Sequence, residues 1–239
     1  MTCVFATNNP SKITELRTVA EPTGIKLLTF SDVGFICEPD ETGTTFEENA
    51  LIKARQARNE HREHISAHSL NVRNAAINSS VFAGDIREAT HSLSVRNAAG
   101  SESASGFIFI ADDSGLCIDA LNGEPGVDSA NFMGRDTPYN IRNSKILQML
   151  AAEENRAARF VCVIAAILPD GRELLTRATV EGQISRASAG ENGFGYDPIF
   201  FVPNFGKTMA ELSPGEKNAI SHRGKAFREM LKLLSEARI

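Results

Sequence analysis

Short apolar runs alternate with helical patterns along most of the chain. Residues 3–6 predict a buried strand, and a polar loop at residues 7–12 follows it. Beyond the loop, apolar side chains recur at helical spacing at Ile13, Leu16 and Val19. This segment therefore predicts a strand, a polar loop and a helix, with Ser11 as the residue that caps the helix. Lys12 would lie near this helix start, where free backbone N–H groups stabilise an anion; an ordinary well-capped helix is the alternative.

A second helix is predicted after residue 44. Its start has two alternative capping boxes, Thr44 with Glu47 and Thr45 with Glu48. The helical pattern continues through Ala54, after which the apolar period is lost.

The C-terminal half continues the alternation. Apolar positions predict a helix near residues 141–150 and a strand at residues 159–168, followed by a Pro-Asp-Gly turn and a β-rich return at residues 172–184. A final helix is predicted from about residue 214. Its apolar stripe consists of Phe227, Met230, Leu231 and Leu234. Alternating strands and helices predict an α/β fold with a mixed sheet.

Residues 58–107 interrupt this alternation, because no apolar period is sustained over them. The sequence His-Ser-Leu-Asn-Val-Arg-Asn-Ala-Ala at residues 68–76 recurs at residues 91–99 with one change. Two polar copies are too few to stack into a solenoid, which needs about three units. We interpret the segment as a low-complexity surface insertion in a single domain that spans residues 1–239.

Four of the five histidines lie in this insertion. His61, His64 and His68 would share one face of a helix, a spacing that allows a metal site. No cysteine or acidic cluster accompanies them, so a solvated polar segment is the interpretation we favour.

Charge and composition exclude several classes of protein. The net charge is −5 and the basic residues are scattered singly, whereas binding to nucleic acid needs a concentrated Lys/Arg surface. No apolar run approaches the ~20 residues that cross a bilayer, and the amino terminus turns polar too soon for a signal peptide. We therefore expect a cytoplasmic protein with no nucleic-acid or membrane partner. Four cysteines without a Cys-x-x-Cys pair are expected as reduced core thiols: Cys3, Cys37, Cys117 and Cys162.

Adjacent carboxylates follow the apolar run at residues 107–111. Asp112 and Asp113 stand at its end, with Ser114 and Gly115 behind them. Two neighbouring carboxylates repel one another unless a cation lies beside them, and a hard divalent ion suits oxygen ligands. The alternative is a turn between two strands, since these are ordinary turn residues.

A second polar and aromatic cluster lies near the C terminus. Phe194 stands between two glycines, which allow the backbone to bend closely past a flat ligand while the ring stacks on a base. Lys217, His222 and Arg223 supply donors suited to phosphate or to a carbonyl oxygen. The alternative is a hairpin with core aromatics and a helix with an exposed basic face.

Taken together, five motifs in this order resemble the inosine triphosphate pyrophosphatases, the Ham1-like family of non-standard purine nucleotide pyrophosphatases. They are Thr-Asn-Asn-Pro-Ser-Lys at 7–12, Glu-Thr-Gly-Thr-Thr-Phe-Glu-Glu-Asn-Ala at 41–50, Ala-Asp-Asp-Ser-Gly-Leu at 111–116, Phe-Gly-Tyr-Asp-Pro at 194–198 and Ser-His-Arg at 221–223. The resemblance covers residues 2–57 and 108–236. It implies an elongated mixed β-sheet flanked by helices, two lobes with the nucleotide cleft between them, and a homodimer.

The resemblance also implies roles for individual residues. Asp113 matches the catalytic and metal-binding aspartate, and Glu41 matches the glutamate that assists the metal, with Glu38 as the alternative. The positions that match substrate-binding residues are Thr7, Asn8, Asn9, Pro10, Ser11, Lys12, Ser114, Phe194, Gly195, Tyr196, Asp197, Lys217, His222 and Arg223.

The implied reaction is Mg²⁺-dependent hydrolysis of ITP, dITP and XTP between the α and β phosphates. Asp113, or Asp112 beside it, would accept the proton of the attacking water. Lys12 and Lys53 would steady the leaving pyrophosphate; Lys53 is included because it follows Asn49 by one helical turn. The alternatives are a related pyrophosphatase for modified pyrimidine nucleotides and a catalytically silent module that binds a nucleotide or a partner.

Overall fold

A seven-stranded mixed sheet forms the centre of the protein. The computed structural model describes residues 1–35, 37–39, 41–82 and 106–237, with residues 68–82 described by their backbone alone. The strand order is β2-β1-β3-β4-β5-β6-β7. The strands are β1 Thr2–Phe5, β2 Lys26–Thr29, β3 Phe107–Ile118, β4 Ala157–Ile167, β5 Glu173–Ile184, β6 Phe200–Val202 and β7 Lys207–Thr208.

Strand pairing brings distant parts of the sequence to one edge. β1 pairs in parallel with both β2 and β3, and the remaining neighbours pair antiparallel. Because Phe5 is in register with Ile110, the loop after β1 lies beside the Asp112-Asp113 pair of β3. The predicted mixed α/β sheet is thus confirmed.

Five α-helices flank the sheet among the described residues: α1 Pro10–Ala20, α2 Phe46–Phe82, α3 Tyr139–Met149, α4 Pro214–Ile220 and α5 His222–Glu236. Because strand side chains alternate between faces, Cys3 and Phe5 pack on one side with α1 and α5, and Val4 packs on the other with α2. A third apolar cluster joins α3 to β6 and to the far ends of β3 and β4. The two ends of the long strands therefore belong to different parts of the core.

The polar stretch of β3 is not a turn. Asp112, Asp113 and Ser114 pair with Ile164, Val163 and Cys162 of β4 in an unbroken antiparallel ladder. The turn alternative is wrong because neighbouring lysine and arginine side chains satisfy the carboxylates within the strand.

α2 is longer than the pattern predicts. It continues to Phe82, since residues 58–82 contain no glycine or proline to end it. Ala57 and His61 are still buried against the sheet. The second copy of the repeat, at residues 91–99, lies outside the described residues, and the insertion stays a prediction.

Two helix starts differ from the prediction. Asn9, not Ser11, caps α1: its Oδ1 accepts hydrogen bonds from the backbone N–H groups of Ser11 and Lys12. Pro10 takes the first helical position, which suits its missing N–H group. The predicted final helix is two helices, because Ser221 ends α4 and caps α5 through the Gly224 N–H group.

The predictions for the start of α2 and for the β-rich return are confirmed. The capping box of α2 is the Thr45 and Glu48 pair, and β5 is the β-rich return. Cys3, Cys117 and Cys162 carry free thiols; burial raises the pKa of Cys3 to about 12. No helix within the described ranges is long and apolar enough to span a membrane.

Candidate active site

Asp112 is the centre of a buried ion-pair network. Its Oδ1 lies 2.9 Å from Lys12 Nζ, and its Oδ2 lies 3.0 Å from Arg223 Nε and accepts a hydrogen bond from Ser114 Oγ. Burial acts to raise the pKa of Asp112, but Lys12, Arg223 and Lys53 together hold it far below its usual range. Asp112 is therefore a fixed carboxylate with its oxygens engaged, and it is poorly suited to accept a proton.

Asp113 has different surroundings on the opposite face of β3. Its Oδ1 lies 2.7 Å from Lys53 Nζ, and its Oδ2 lies 3.4 Å from Asn49 Nδ2. Burial raises the pKa of Asp113, which Lys53 opposes. The carboxylates raise the pKa of Lys53 despite its burial, so the ammonium stays charged. Of the two aspartates, Asp113 is the one whose environment favours proton transfer.

A second carboxylate converges on the same point. Glu41 Oε1 lies 2.9 Å from Lys53 Nζ, so Glu41 and Asp113 face one ammonium group. Glu38 is exposed, and the geometry therefore favours Glu41 as the assisting glutamate. No group of three or more His, Cys, Asp or Glu residues with metal-binding geometry occurs in the described part of the chain. Two convergent carboxylates still fit a hard divalent cation that takes its other ligands from water and phosphate.

A cavity of about 190 Å³ opens beside this network. It brings together most of the predicted substrate-binding positions: Asn9, Lys12, Ser114, Phe194, Gly195, Tyr196, Asp197, Lys217, His222 and Arg223. Pro10 and Ser11 line a neighbouring cavity of about 380 Å³, which shares Phe194 and Lys217 with the first. Thr7 and Asn8 lie outside both linings: Thr7 Oγ1 accepts a hydrogen bond from the Asn9 N–H group, and Asn8 Nδ2 donates to the Cys37 carbonyl.

Asp197 shapes the loop that carries Phe194. Its buried Oδ2 accepts hydrogen bonds from the Phe194 N–H group at 2.7 Å and from Lys217 Nζ at 2.5 Å. Lys217 Nζ also lies 4.7 Å from the centre of the Phe194 ring. Gly193 has φ +79°, and a Cβ there would collide with the Asp197 carboxylate. The loop therefore requires glycine at position 193.

His222 presents a neutral imidazole at the buried end of the cavity. Its ring stacks on Phe160 with centroids 4.8 Å apart, and its Nδ1 has no hydrogen-bond partner among the described residues. Burial lowers the pKa of His222 to about 3. A neutral imidazole has one donor and one acceptor nitrogen, so it can recognise a polar edge of a ligand.

Arg223 is held rigidly next to His222. Its Nε and Nη1 donate to Asp112 and Glu15, and Ser221 Oγ donates to the other Glu15 oxygen. Sequence reasoning missed Glu15, although it follows Lys12 by three residues and so shares a helix face with it. It also missed Phe160, because an aromatic residue in a predicted strand gives no sign of a ligand contact.

The α3 side of the cavity was missed altogether. Tyr196 donates its hydroxyl proton to the Ser129 carbonyl, and Asn143 Nδ2 donates to the Gly195 carbonyl. Tyr139 and Ser129 both line the cavity. In the sequence, Ser129 follows a predicted turn, and Tyr139 and Asn143 stand near the start of a predicted helix. No pattern there marks a site.

Comparison with known proteins gives consistent results. The Ham1 family model matches residues 3–70 and 75–233, which extends into the segment interpreted as an insertion. A dITP/XTP pyrophosphatase of Exiguobacterium sp. is 39% identical over 230 residues, covering 96% of this chain and 95% of that protein. The structure of a HAM1 protein from Coxiella burnetii superposes with a TM-score of 0.73 at 34% identity and covers 99% of both chains. The Staphylococcus aureus Ham1 protein gives a TM-score of 0.71 at 32% identity over the full length of both chains.

Proposed function

This chain belongs to the Ham1 family, and we propose on that basis that it hydrolyses non-standard purine nucleoside triphosphates, namely ITP, dITP and XTP, to the monophosphate and pyrophosphate. The observation that carries the proposal is one continuous arrangement of side chains. The neutral His222 lies at the buried end of an aromatic cavity, and Arg223 and Asp112 connect it to Lys12 and to the strand that carries Asp113. The residues suited to base recognition therefore lie next to the residues suited to phosphate chemistry.

Asp113 is the general base in this proposal. Its carboxylate lies beside the Lys53 ammonium and would accept the proton of a water that attacks the α-phosphate. Lys12 and Lys53 supply positive charge for the pyrophosphate that leaves. Asp113 and Glu41 would hold Mg²⁺, which would supply charge neutralisation at the phosphates and activation of the attacking water.

Selection against adenine follows from the buried donors. Hypoxanthine and xanthine carry a 6-oxygen, which accepts a hydrogen bond, whereas adenine carries a 6-amino group. Within the described part of the chain, Arg223 has Nε and Nη1 engaged by Asp112 and Glu15, and its Nη2 group is left as a donor that cannot accept, whereas the neutral imidazole of His222 can donate or accept. Arg223 is therefore the residue of the two that selects for this oxygen. An amino group would leave that donor unpaired in a buried site, which disfavours binding.

The test is pyrophosphate release, measured separately from orthophosphate, with and without Mg²⁺, on dITP, XTP, dATP, dGTP and dTTP at equal concentration. We expect pyrophosphate from dITP and XTP and none from dATP or dTTP, and only with Mg²⁺; the result with dGTP, whose base also carries a 6-oxygen, shows how the site treats the 2-amino group. Asp113→Asn should lower turnover about 10²–10⁴-fold with an unchanged thermal melting curve. Turnover of dTTP alone would point to a pyrimidine enzyme, and silence on all substrates would point to a binding module.

Two further expectations belong to this proposal. We propose that the protein is a homodimer, which the family resemblance implies, and that it acts in the cytoplasm. The free thiols of Cys3, Cys117 and Cys162 support a reducing compartment. Light scattering on the purified protein tests the dimer directly: the mass of two chains is expected, and the mass of one chain would contradict it.

A further inference from the structure

Tyr139 is a large aromatic side chain at the rim of the candidate active site. It is the first residue of α3 and lines the same cavity as Phe194, Tyr196 and His222. Its side chain is 38% exposed. An aromatic ring left partly open to solvent at the mouth of a ligand cavity offers an apolar face to whatever the cavity binds.

The Tyr139 ring is held in place by rigid neighbours. The Arg142 guanidinium carbon lies 4.7 Å from the ring centre, and the Tyr196 ring meets it edge-on at 5.2 Å and 89°. Arg142 is 2% exposed. Its two terminal nitrogens donate to the carbonyls of Ser129, Ala130, Gly134 and Arg135. The ring is therefore positioned before any substrate binds, which reduces the entropy lost on binding.

α3 also contacts the loop that follows Phe194. A Cβ on Gly195 would lie 3.7 Å from the Tyr139 ring, so the ring covers the backbone of this glycine. One turn later on α3, Asn143 Nδ2 lies 3.1 Å from the Gly195 carbonyl oxygen. The helix therefore fixes the aromatic ring and the Phe194 loop relative to each other.

We propose that Tyr139 is a further substrate-contacting residue, whose ring forms the outer wall of the cavity and packs against the nucleoside part of the substrate. The proposal rests on the proposed function and names a residue of that same site. Because the contact is apolar, it strengthens binding of every purine nucleoside that enters and does not distinguish dITP from XTP. It acts on the nucleoside and leaves the binding of the phosphates unchanged.

The experiment compares Tyr139→Ala and Tyr139→Phe with the wild type. Calorimetry gives the Kd of IMP and of inorganic tripolyphosphate, and steady-state assays give kcat and KM for dITP. For Tyr139→Ala we expect about a tenfold higher Kd for IMP and a comparable rise in KM. The value of kcat and the Kd of tripolyphosphate should stay within twofold of wild type. Tyr139→Phe keeps the ring and should behave like the wild type.

The matched control is Ile141→Ala, which removes an apolar side chain that is 48% exposed on the same helix and should change none of these values. If Tyr139→Ala lowers the melting temperature, Tyr139→Leu carries the test, because it keeps apolar packing against Tyr196 without an aromatic face. Unchanged IMP binding in the alanine or leucine variant overturns the proposal. Equal weakening of IMP and tripolyphosphate does so too, since it indicates general damage to the cavity. A wild type that releases no pyrophosphate from dITP overturns the proposed function and this proposal with it, whereas a wild type that cleaves dITP but binds no IMP overturns this proposal alone.

Discussion

Asp112 and Asp113 are neighbours with opposite roles, and the reason is the period of a β-strand. Successive side chains of β3 point to opposite faces of the sheet, so Asp112 meets Lys12 and Arg223 from α1 and α5, whereas Asp113 meets Lys53 from α2. The first carboxylate has two cationic partners and the second has one that it shares with Glu41. Only the second retains the freedom to take part in a reaction.

Replacing each aspartate in turn should separate these roles. Asp112→Asn removes the charge that partners the buried Arg223 and Lys12, and we expect a loss of about 3–5 kcal/mol in the free energy of unfolding. Asp113→Asn leaves Lys53 with Glu41 as its partner, so the free energy of unfolding should change little while turnover falls about 10²–10⁴-fold. Urea unfolding of both variants, together with pyrophosphate release, makes the comparison. Equal loss of stability in the two would contradict the assignment.

His61 provides a test of pH dependence away from the cavity. The ring is buried among Phe35, Phe107 and Phe109, with centroids 5.4, 5.5 and 5.2 Å away, and burial lowers its pKa. Because this pKa lies below the unfolded value of about 6.5, the contribution to stability is complete above that pH and is lost as the pH falls toward the folded pKa.

His61→Phe should therefore flatten the decline in the free energy of unfolding between about pH 7 and pH 5. Activity at neutral pH should be unchanged, because His61 is not part of the candidate site. Glu63→Gln, a change at an exposed position of the same helix, is the control and should keep the wild-type slope; His64 is not used, because its charge also lowers the pKa of His61. A variant that retains the full acid sensitivity of the wild type would show that His61 is not its source.

At the level of elements, the sequence identified the strand, loop and helix at the start of the chain, because their periodicity is local. It could not identify β3 as one strand through Asp112 and Asp113, since the cations that permit buried carboxylates come from residues 60–111 positions away. It also ended α2 too early. A helix continues where no glycine or proline interrupts it, whether or not one of its faces is buried. The apolar period shows only which part of a helix has a buried face, so it does not show where the helix ends.

Gly193 gives a prediction for the loop between β5 and β6. Gly193→Ala places a Cβ at a positive φ and against the Asp197 carboxylate. The collision should displace Phe194, whose N–H group the same carboxylate binds, so we expect KM for dITP to rise more than about tenfold. Gly24→Ala is the matched control: Gly24 has φ +71° but open space around its Cβ position. It should cost about 1 kcal/mol of stability and leave KM unchanged.

For the whole molecule, the sheet order is what assembles the site. Lys12 lies in the first turn of α1, Lys53 in α2 and Arg223 in the first turn of α5, yet all three reach the Asp112-Asp113 pair of β3. Lys12 reaches it because β1, which precedes α1, is the parallel neighbour of β3. Motifs alone predicted most of the polar residues that line the cavity. They did not predict the α3 wall, because Tyr139 and Asn143 owe their positions to long-range packing.

The packing of α2 against β3 limits how much of the predicted insertion can be removed. His61 packs on Phe107 and Phe109, so a deletion that begins at residue 60 would take a buried ring out of the core. Ala67 lies only six residues beyond His61, which is about 9 Å along the helix. In a variant that lacks residues 68–99, the six residues 100–105 would connect Ala67 to β3. Six extended residues span about 20 Å, which exceeds the ~9 Å of helix between His61 and Ala67.

Deleting residues 68–99 removes both copies of the repeat and none of the site residues. We expect kcat and KM for dITP within about twofold of wild type and a melting temperature within a few degrees. A deletion of residues 60–99 should instead lower the melting temperature clearly, because it removes His61. If the shorter deletion abolished turnover while the protein stayed folded, the repeat segment would have a role in catalysis; if it changed the mass measured by light scattering, the segment would have a role in assembly.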